Sequence, residues 1–317
     1  MTRLPFVPDQ PATEPPACLR FGTSSWAYEG WKGLVYRKPY SKSRFAQDCL
    51  AEYAAYEYQG RRLFRTVGLD HSFYRPPTHD QLAHYAAQVP SDFHVCPKVW
   101  EEITIPAYAN LPRYGPKAGM NNPRFLDAAV CEELVLAPTL QSLGDRTGPF
   151  IFEFQRFGLE PDRFLAALDR FFARLPAGPL YAVEVRHPAV LGARYHDLLK
   201  AHGVAHVYNH WTSMPPLAAQ HAAMGKRFPG RSVVVRLLTP LGLSHADAVR
   251  RYRPYDRLVQ PVPRMRADTL ALIRQALAER LPAYLLVNNR AEGNAPLTIQ
   301  ALLDALGQPA DREAPEV

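Results

Sequence analysis

The sequence predicts an α/β protein, a single-domain (β/α)8 barrel of the TIM type. Three observations carry that prediction. Eight short runs rich in Val, Ile, Leu and Phe recur along the 317 residues, and segments of helical periodicity separate them. The runs are also apolar on both faces, as buried parallel strands are. Eight strands alternating with helices close most simply into a ring that leaves no strand edge exposed. An open doubly wound sheet is the alternative, but no G-x-G-x-x-G follows the first run, which weakens a dinucleotide-binding version of it.

Taken in order, the expected strands are 19–24, 65–70, 93–98, 150–154, 181–186, 205–209, 232–238 and 284–289, each bounded by Pro, Gly or a charged cluster. Helical spacing of apolar residues predicts helices over 43–56, 78–88, 123–136, 161–175, 267–280 and 296–306. Asn122-Pro123 and Glu160-Pro161 put a proline near a first helical turn, where its missing N–H leaves no bond unmade, and Gly203 and Gly307 fall where helix-ending glycines belong. The barrel is expected over 18–307, with mobile tails at 1–17 and 308–317 and no internal repeat.

Composition narrows the class. A hydrophobic content of 47% excludes wholesale disorder. No run of about 18 apolar residues occurs, and the start is polar and Pro-punctuated, so a cytoplasmic protein without membrane attachment is expected. Cys18, Cys49, Cys96 and Cys131 stand dozens of residues apart, which fits neither a zinc finger nor a disulfide scaffold. Net charge is +7, carried by 7 Lys and 30 Arg against 30 acidic residues; the arginine bias suits bidentate phosphate recognition and equally a drift in composition.

Barrel sites are built where strands end, and these endings are polar. They bring Asp70 and His71, Lys98, Glu153, Glu184 with Arg186 and His187, Asn209 and His210, Arg236, and Asn288 with Asn289 toward one mouth. The bland alternative for any one of them is a polar residue that lets a strand leave the core. Glu184 and Arg186 are two apart and so share a face, the lumen if Val183 and Val185 face the helices. Glu153 would neighbour Glu184, and two close carboxylates split their pKa values into one acid and one base. Glu153, Glu184, Lys98 and His187 are therefore the candidate catalytic residues. Lys98 could serve as an anion anchor, as a Schiff-base amine, or simply as the partner of Glu153. His187 could be a proton shuttle, a ligand or a loop cap. The carboxylates could instead hold a divalent cation with His71, His187 or His210, although no compact ligand motif supports this, and no nucleotide-cofactor motif is present. Candidate substrate contacts are Trp26, Asp70, His71, Tyr74, Arg186, His210, Arg236, Asn288 and Asn289. The stretch from Arg250 to Arg266 interleaves arginines with Tyr252 and Tyr255, a pattern that could clamp phosphates and stack bases, or form a solvated arginine face.

Several blocks together resemble the YecE-like family, number 72 in the domain-of-unknown-function series, from about Leu19 to Leu306. They are Gly22-Thr23-Ser24-Ser25-Trp26 with Trp31, Thr66-Val67 through Ser72-Phe73-Tyr74-Arg75, Phe93 to Lys98, Ala182 through Pro188, and Asn288-Asn289 with Gly293 and Ala295. The resemblance implies a TIM-type barrel and no established reaction. It also marks departures. Gly68 stands where the family usually has Glu, with Asp70-His71 after it; Glu153-Phe154-Gln155-Arg156 replaces a Gln followed by Leu-Pro-Pro; and Val190 replaces a Trp. A divergent subgroup with an altered substrate, or with a lost activity, would show such changes.

The functional expectation is a barrel enzyme acting on a small polar or phosphorylated substrate by carboxylate acid/base or metal-assisted chemistry. Hydrolysis, isomerisation and lyase chemistry stay open. The alternatives are a nucleic-acid-binding or nucleic-acid-processing protein using segment 250–266, and a catalytically silent binding scaffold. Oligomeric state is not legible.

Overall fold

The computed structural model describes residues 16–156 and 160–307, so the expected tails lie outside it save for residues 16 and 17. Eight parallel strands form the barrel: β1 (Leu19–Thr23), β2 (Thr66–Leu69), β3 (His94–Pro97), β4 (Phe150–Phe154), β5 (Tyr181–Val185), β6 (Ala205–His210), β7 (Val233–Leu237) and β8 (Ala283–Val287). Each coincides with a predicted run. The ladder order is β3-β2-β1-β8-β7-β6-β5-β4, a TIM-type ring that is nearly closed. The seam between β3 and β4 carries only isolated bridges, Val95 with Thr147 and Lys98 with Ile151, joined by Val99 N–H to Ile151 C=O at 2.9 Å and Gly148 N–H to Val95 C=O at 2.8 Å.

Alternation sorts the strand residues into two cores. Tyr181, Val183 and Val185 join the outer core beneath the helices, whereas Ala182 lies in the lumen with Cys96, Ile151, Ala205, Val207, Val234, Tyr284 and Leu286. That puts Glu184 on the lumen face above an apolar plug. Both cores remove large apolar surfaces from water, so each strand is buried on both sides and reads as continuously apolar. Gly22 is required where β1 meets β2: a Cβ there would lie 1.9 Å from the carbonyl oxygen of Thr66.

The helices depart from expectation more than the strands do. Pro161–Phe172 starts at its proline as predicted and buries Phe164, Leu165, Leu168, Phe171 and Phe172 on one face. Pro263–Ala278 begins four residues earlier than the periodicity suggests, again at a proline. The expected helix over 43–56 is two short helices, Phe45–Asp48 and Leu50–Ala54, broken at Cys49. The one expected over 123–136 starts instead at Ala128, where the Asp127 side chain accepts from Val130 N–H at 3.1 Å, and runs through a wide π turn at Glu132–Leu136 into Ala137–Leu143. Pro138, which has no N–H to give, sits just past that widened turn. Gly203 takes the left-handed φ of +64° expected of a helix-ending glycine, whereas Gly307 stays right-handed at −74°. Ala193–Ala201, Leu217–Ala223 and His245–Tyr252 are helices that the periodicity did not reveal. Among the described residues no helix is long and apolar enough to cross a membrane.

Candidate active site

The carboxyl ends of the strands open into a cleft of about 790 Å³. Its floor is an ionic layer standing on the apolar plug. Glu153 and Glu184 are register partners on β4 and β5, and both project into the lumen. Arg186 bridges them, its Nη2 lying 2.6 Å from Glu153 Oε2 and 2.8 Å from Glu184 Oε1. Arg236 from β7 places Nη1 at 2.5 Å from Glu184 Oε2 and Nη2 at 2.7 Å from Asp70 Oδ1. Lys98 Nζ lies 2.6 Å from Glu153 Oε2 and 4.0 Å from the centre of the Phe73 ring, and Gln155 donates to Glu153 Oε1. The Arg186 guanidinium also stacks on Trp211 at 3.9 Å. Alternation along β4, β5 and β7 turns Glu153, Glu184 and Arg236 inward, and the residues just past β2, β3 and β5 add Asp70, Lys98 and Arg186.

In this layer both carboxylates expected as acid and base are held by cations. Burial would push the Glu153 carboxyl up, but Arg186, Lys98 and Arg236 outweigh it and hold it down to about 2. Both oxygens of Glu184 are taken by guanidinium groups. Two carboxylates stitched to three cations form an electrostatic floor. Lys98 is an ion-pair partner of Glu153 rather than a free amine. Asp70, two residues beyond Gly68, supplies a further acid to this layer by meeting Arg236.

The donors do not suit a metal. Among the described residues no group of three His, Cys, Asp or Glu side chains is gathered as a ligand set, and the carboxylate oxygens already face guanidinium groups. His187 caps the turn Pro188–Val190 by accepting from Ala189 N–H at 3.3 Å, and does not line the cleft. His210 is buried behind the cleft, and burial lowers its imidazole to about 4.

The remaining expected contacts divide. Asp70, His71, Tyr74, Arg186, Arg236 and Asn288 all line the cleft. Trp26 is a buried support: its Nε1–H binds the Ala46 carbonyl at 2.9 Å and its ring stands edge-on to His71. Asn289 is a buried lock, accepting from Trp31 Nε1–H at 3.1 Å and from Ala295 N–H at 2.8 Å. The arginine and tyrosine stretch loses its aromatic half, because Tyr252 and Tyr255 are buried and cannot stack bases. Three of its six arginines are also ion-paired: Arg250 with Asp247, Arg257 with Asp256 and Arg266 with the buried Glu292.

One wall of the cleft escaped the sequence reading. The loop from 99 to 127 after β3 contributes Glu101, Ile105, Tyr108, Leu111, Arg113 and Tyr114. Asn122 clamps it, its Nδ2 donating to the Glu102 and Ile105 carbonyls at 2.7 Å each. Glu101 and Glu102 then differ sharply. Glu102 is bound by Lys117 at 2.7 Å and Arg124 at 2.6 Å, which outweigh burial and lower its carboxyl. In Glu101 the Oε2 atom accepts from Arg113 and from the Tyr114 hydroxyl, each at 2.9 Å, while Oε1 has no protein partner among the described residues. Burial raises its carboxyl despite those two contacts. The only sequence signal was an unusually long strand-to-helix connection dense in Pro, Gly and Tyr.

Cations outnumber acids here. Lys98, Arg113, Arg156, Arg186, Arg236 and Arg290 line the cleft against Asp70, Glu101 and Glu153, with Glu184 just below. Arg156 and Arg290 have no carboxylate partner among the described residues, and Arg290 Nε is buried without an acceptor. A second hollow of about 630 Å³ lies at the opposite end of the barrel, and its Arg62 and Arg65 both pair with Asp92.

Residues 20–317 match the family model described as protein of unknown function DUF72. The chain belongs to the DUF72 family. A DUF72 protein from Enterococcus faecalis has a similar structure at 17% identity, covering 94% of this chain and 99% of that one with a TM-score of 0.61. Another from Thermotoga maritima is 18% identical, covering 92% and 99% with a TM-score of 0.60. No curated protein matches the chain. At such identities the likeness of this DUF72 chain to both structures is one of fold.

Proposed function

We propose that the cleft is the active site of an enzyme acting on a small anionic substrate, with a phosphorylated compound the best fit. The unpartnered Arg156 and Arg290 carry this reading. Arg290 is half-buried with its Nε lacking an acceptor among the described residues, and a phosphate or carboxylate from solution supplies that acceptor, while the exposed Arg156 adds a second guanidinium to the lining of the same cleft. Arg290 follows β8, where barrel phosphate sites commonly form. The paired floor of Lys98, Arg186 and Arg236 adds fixed charge that needs no rearrangement on binding.

Glu101 supplies the proton-transfer group. Its raised carboxyl and free Oε1 suit exchange of a proton with bound substrate, roles that Glu153 and Glu184 cannot take while locked to cations. Calorimetric titration at low salt should detect inorganic pyrophosphate, with the Arg156→Ala/Arg290→Ala double variant binding about tenfold more weakly or worse at an unchanged unfolding midpoint. Glu101→Gln should keep that affinity and lose any turnover. Wild-type protein that binds neither phosphate nor pyrophosphate at millimolar concentration would overturn the reading.

A further inference from the structure

The cleft is polarised. On the side of β5, β7 and β8 stand Arg186, Arg290 and His245, close enough that both guanidinium groups act on the imidazole. The opposite wall is apolar and carries four rings, Phe73, Tyr74, Tyr108 and Tyr114, among the smaller side chains of segment 105–111. Along this wall flat groups adjoin in sequence. The Arg113 guanidinium lies 4.6 Å from the Tyr114 ring centre and 5.3 Å from that of Tyr74, and Tyr108 continues the row at 5.3 Å from Tyr114. Tyr74 is the terminal plate, 61% exposed, and beyond Arg113 and the edge of Phe73 no ring or cation covers it among the described residues. Leu111, 46% exposed, lies at the same wall.

Resting on the anion-binding reading above, we infer that the substrate joins its anionic group to a planar ring that stacks on Tyr74, as in an aryl or nucleoside monophosphate. The side chain this wall leaves most open is the flat Tyr74 ring, a surface that matches a planar group better than a flexible aliphatic chain. A volume of about 790 Å³ also exceeds what a bare phosphate or a triose phosphate fills and falls in the range of pockets that enclose ligands of several hundred daltons. A ring on an aromatic plate gains by offset stacking and is accepted whatever its edge pattern. The phosphate then reaches the cationic side, and the ring lies beside Glu101, whose Oε2 is fixed by the same Arg113 and Tyr114 that build the wall.

Titration calorimetry with three probes tests this: ribose 5-phosphate, glucose 6-phosphate and AMP, each against wild type and Tyr74→Ala. The exposure of Tyr74 makes that variant safe for the fold. AMP should bind wild type about tenfold more tightly than either sugar phosphate, and Tyr74→Ala should erase the advantage while leaving the sugar phosphates unchanged. Equal affinities in wild type, a preference for glucose 6-phosphate, or a Tyr74→Ala loss shared by all three probes would overturn the inference and leave the anion site standing. Absence of binding by every probe, and by pyrophosphate, would remove both.

Discussion

A carboxylate is defined by its neighbours, and Glu153, Glu184 and Glu101 show how far. The first two are visible in the sequence because strand alternation fixes their face, and Arg186 two places beyond Glu184 is visible for the same reason. Their partners Lys98 and Arg236 come from other strands, so the sequence placed all five groups at one mouth without saying which would neutralise which. Glu101 depends on Arg113 and Tyr114, twelve and thirteen residues on in an irregular loop, a relation no periodicity encodes. The three acids should therefore respond differently to amide replacement. Glu153→Gln leaves Lys98, Arg186 and Arg236 short of a shared negative charge inside the barrel, and urea unfolding should show a loss of about 3–5 kcal/mol. Glu101→Gln, whose partner Arg113 is half exposed, should cost about 1 kcal/mol or less. Comparable losses in the two variants would mean that the floor is not the ionic keystone described above.

At the level of elements, strands were legible and loops were not. A strand buried on both faces writes its identity into four to six consecutive residues, whereas the helices met competing signals. Asn122-Pro123 looks like a helix start, but Asn122 spends its side chain on the Glu102 and Ile105 carbonyls, and the helix begins later at a cap the periodicity did not require. The Arg-rich stretch hid the helix His245–Tyr252 because its charges masked a short apolar face. Asn122 also gives this level its test. Asn122→Ala should free two buried carbonyls, speed amide exchange across residues 105–121 by about tenfold, and leave exchange in β5 to β8 unchanged. Exchange that accelerates equally across the whole barrel would show that the loop is not an independent unit.

For the molecule as a whole, acid sensitivity follows from histidines that folding hides. Burial lowers His94, His206 and His210 each to about 4, with Arg20 adding to the effect at His94. In the unfolded chain they titrate near 6.5, so between roughly pH 6.5 and 4 the unfolded state holds more protons than the native one. Stability conferred by their neutral forms is thus complete above about pH 6.5 and is lost as pH falls toward 4. Glu153 extends the decline, losing its contribution between its ordinary range and about 2. Denaturant unfolding at pH 7.5 and 5 should show lower stability at pH 5, with proton uptake on unfolding approaching three as the pH nears 4.5. Uptake near zero across that interval would contradict the burial of these rings.

The β3–β4 seam gives the barrel a joint. Seven of the eight seams between its strands carry ladders, while the eighth is held by isolated backbone bonds and by the Lys98–Glu153 contact directly above them. The pin of the joint thus lines the cleft. An anion that drew Lys98 away from Glu153 would leave this seam to its backbone bonds alone, so occupancy of the cleft would bear on the stiffness of the barrel through one ammonium group.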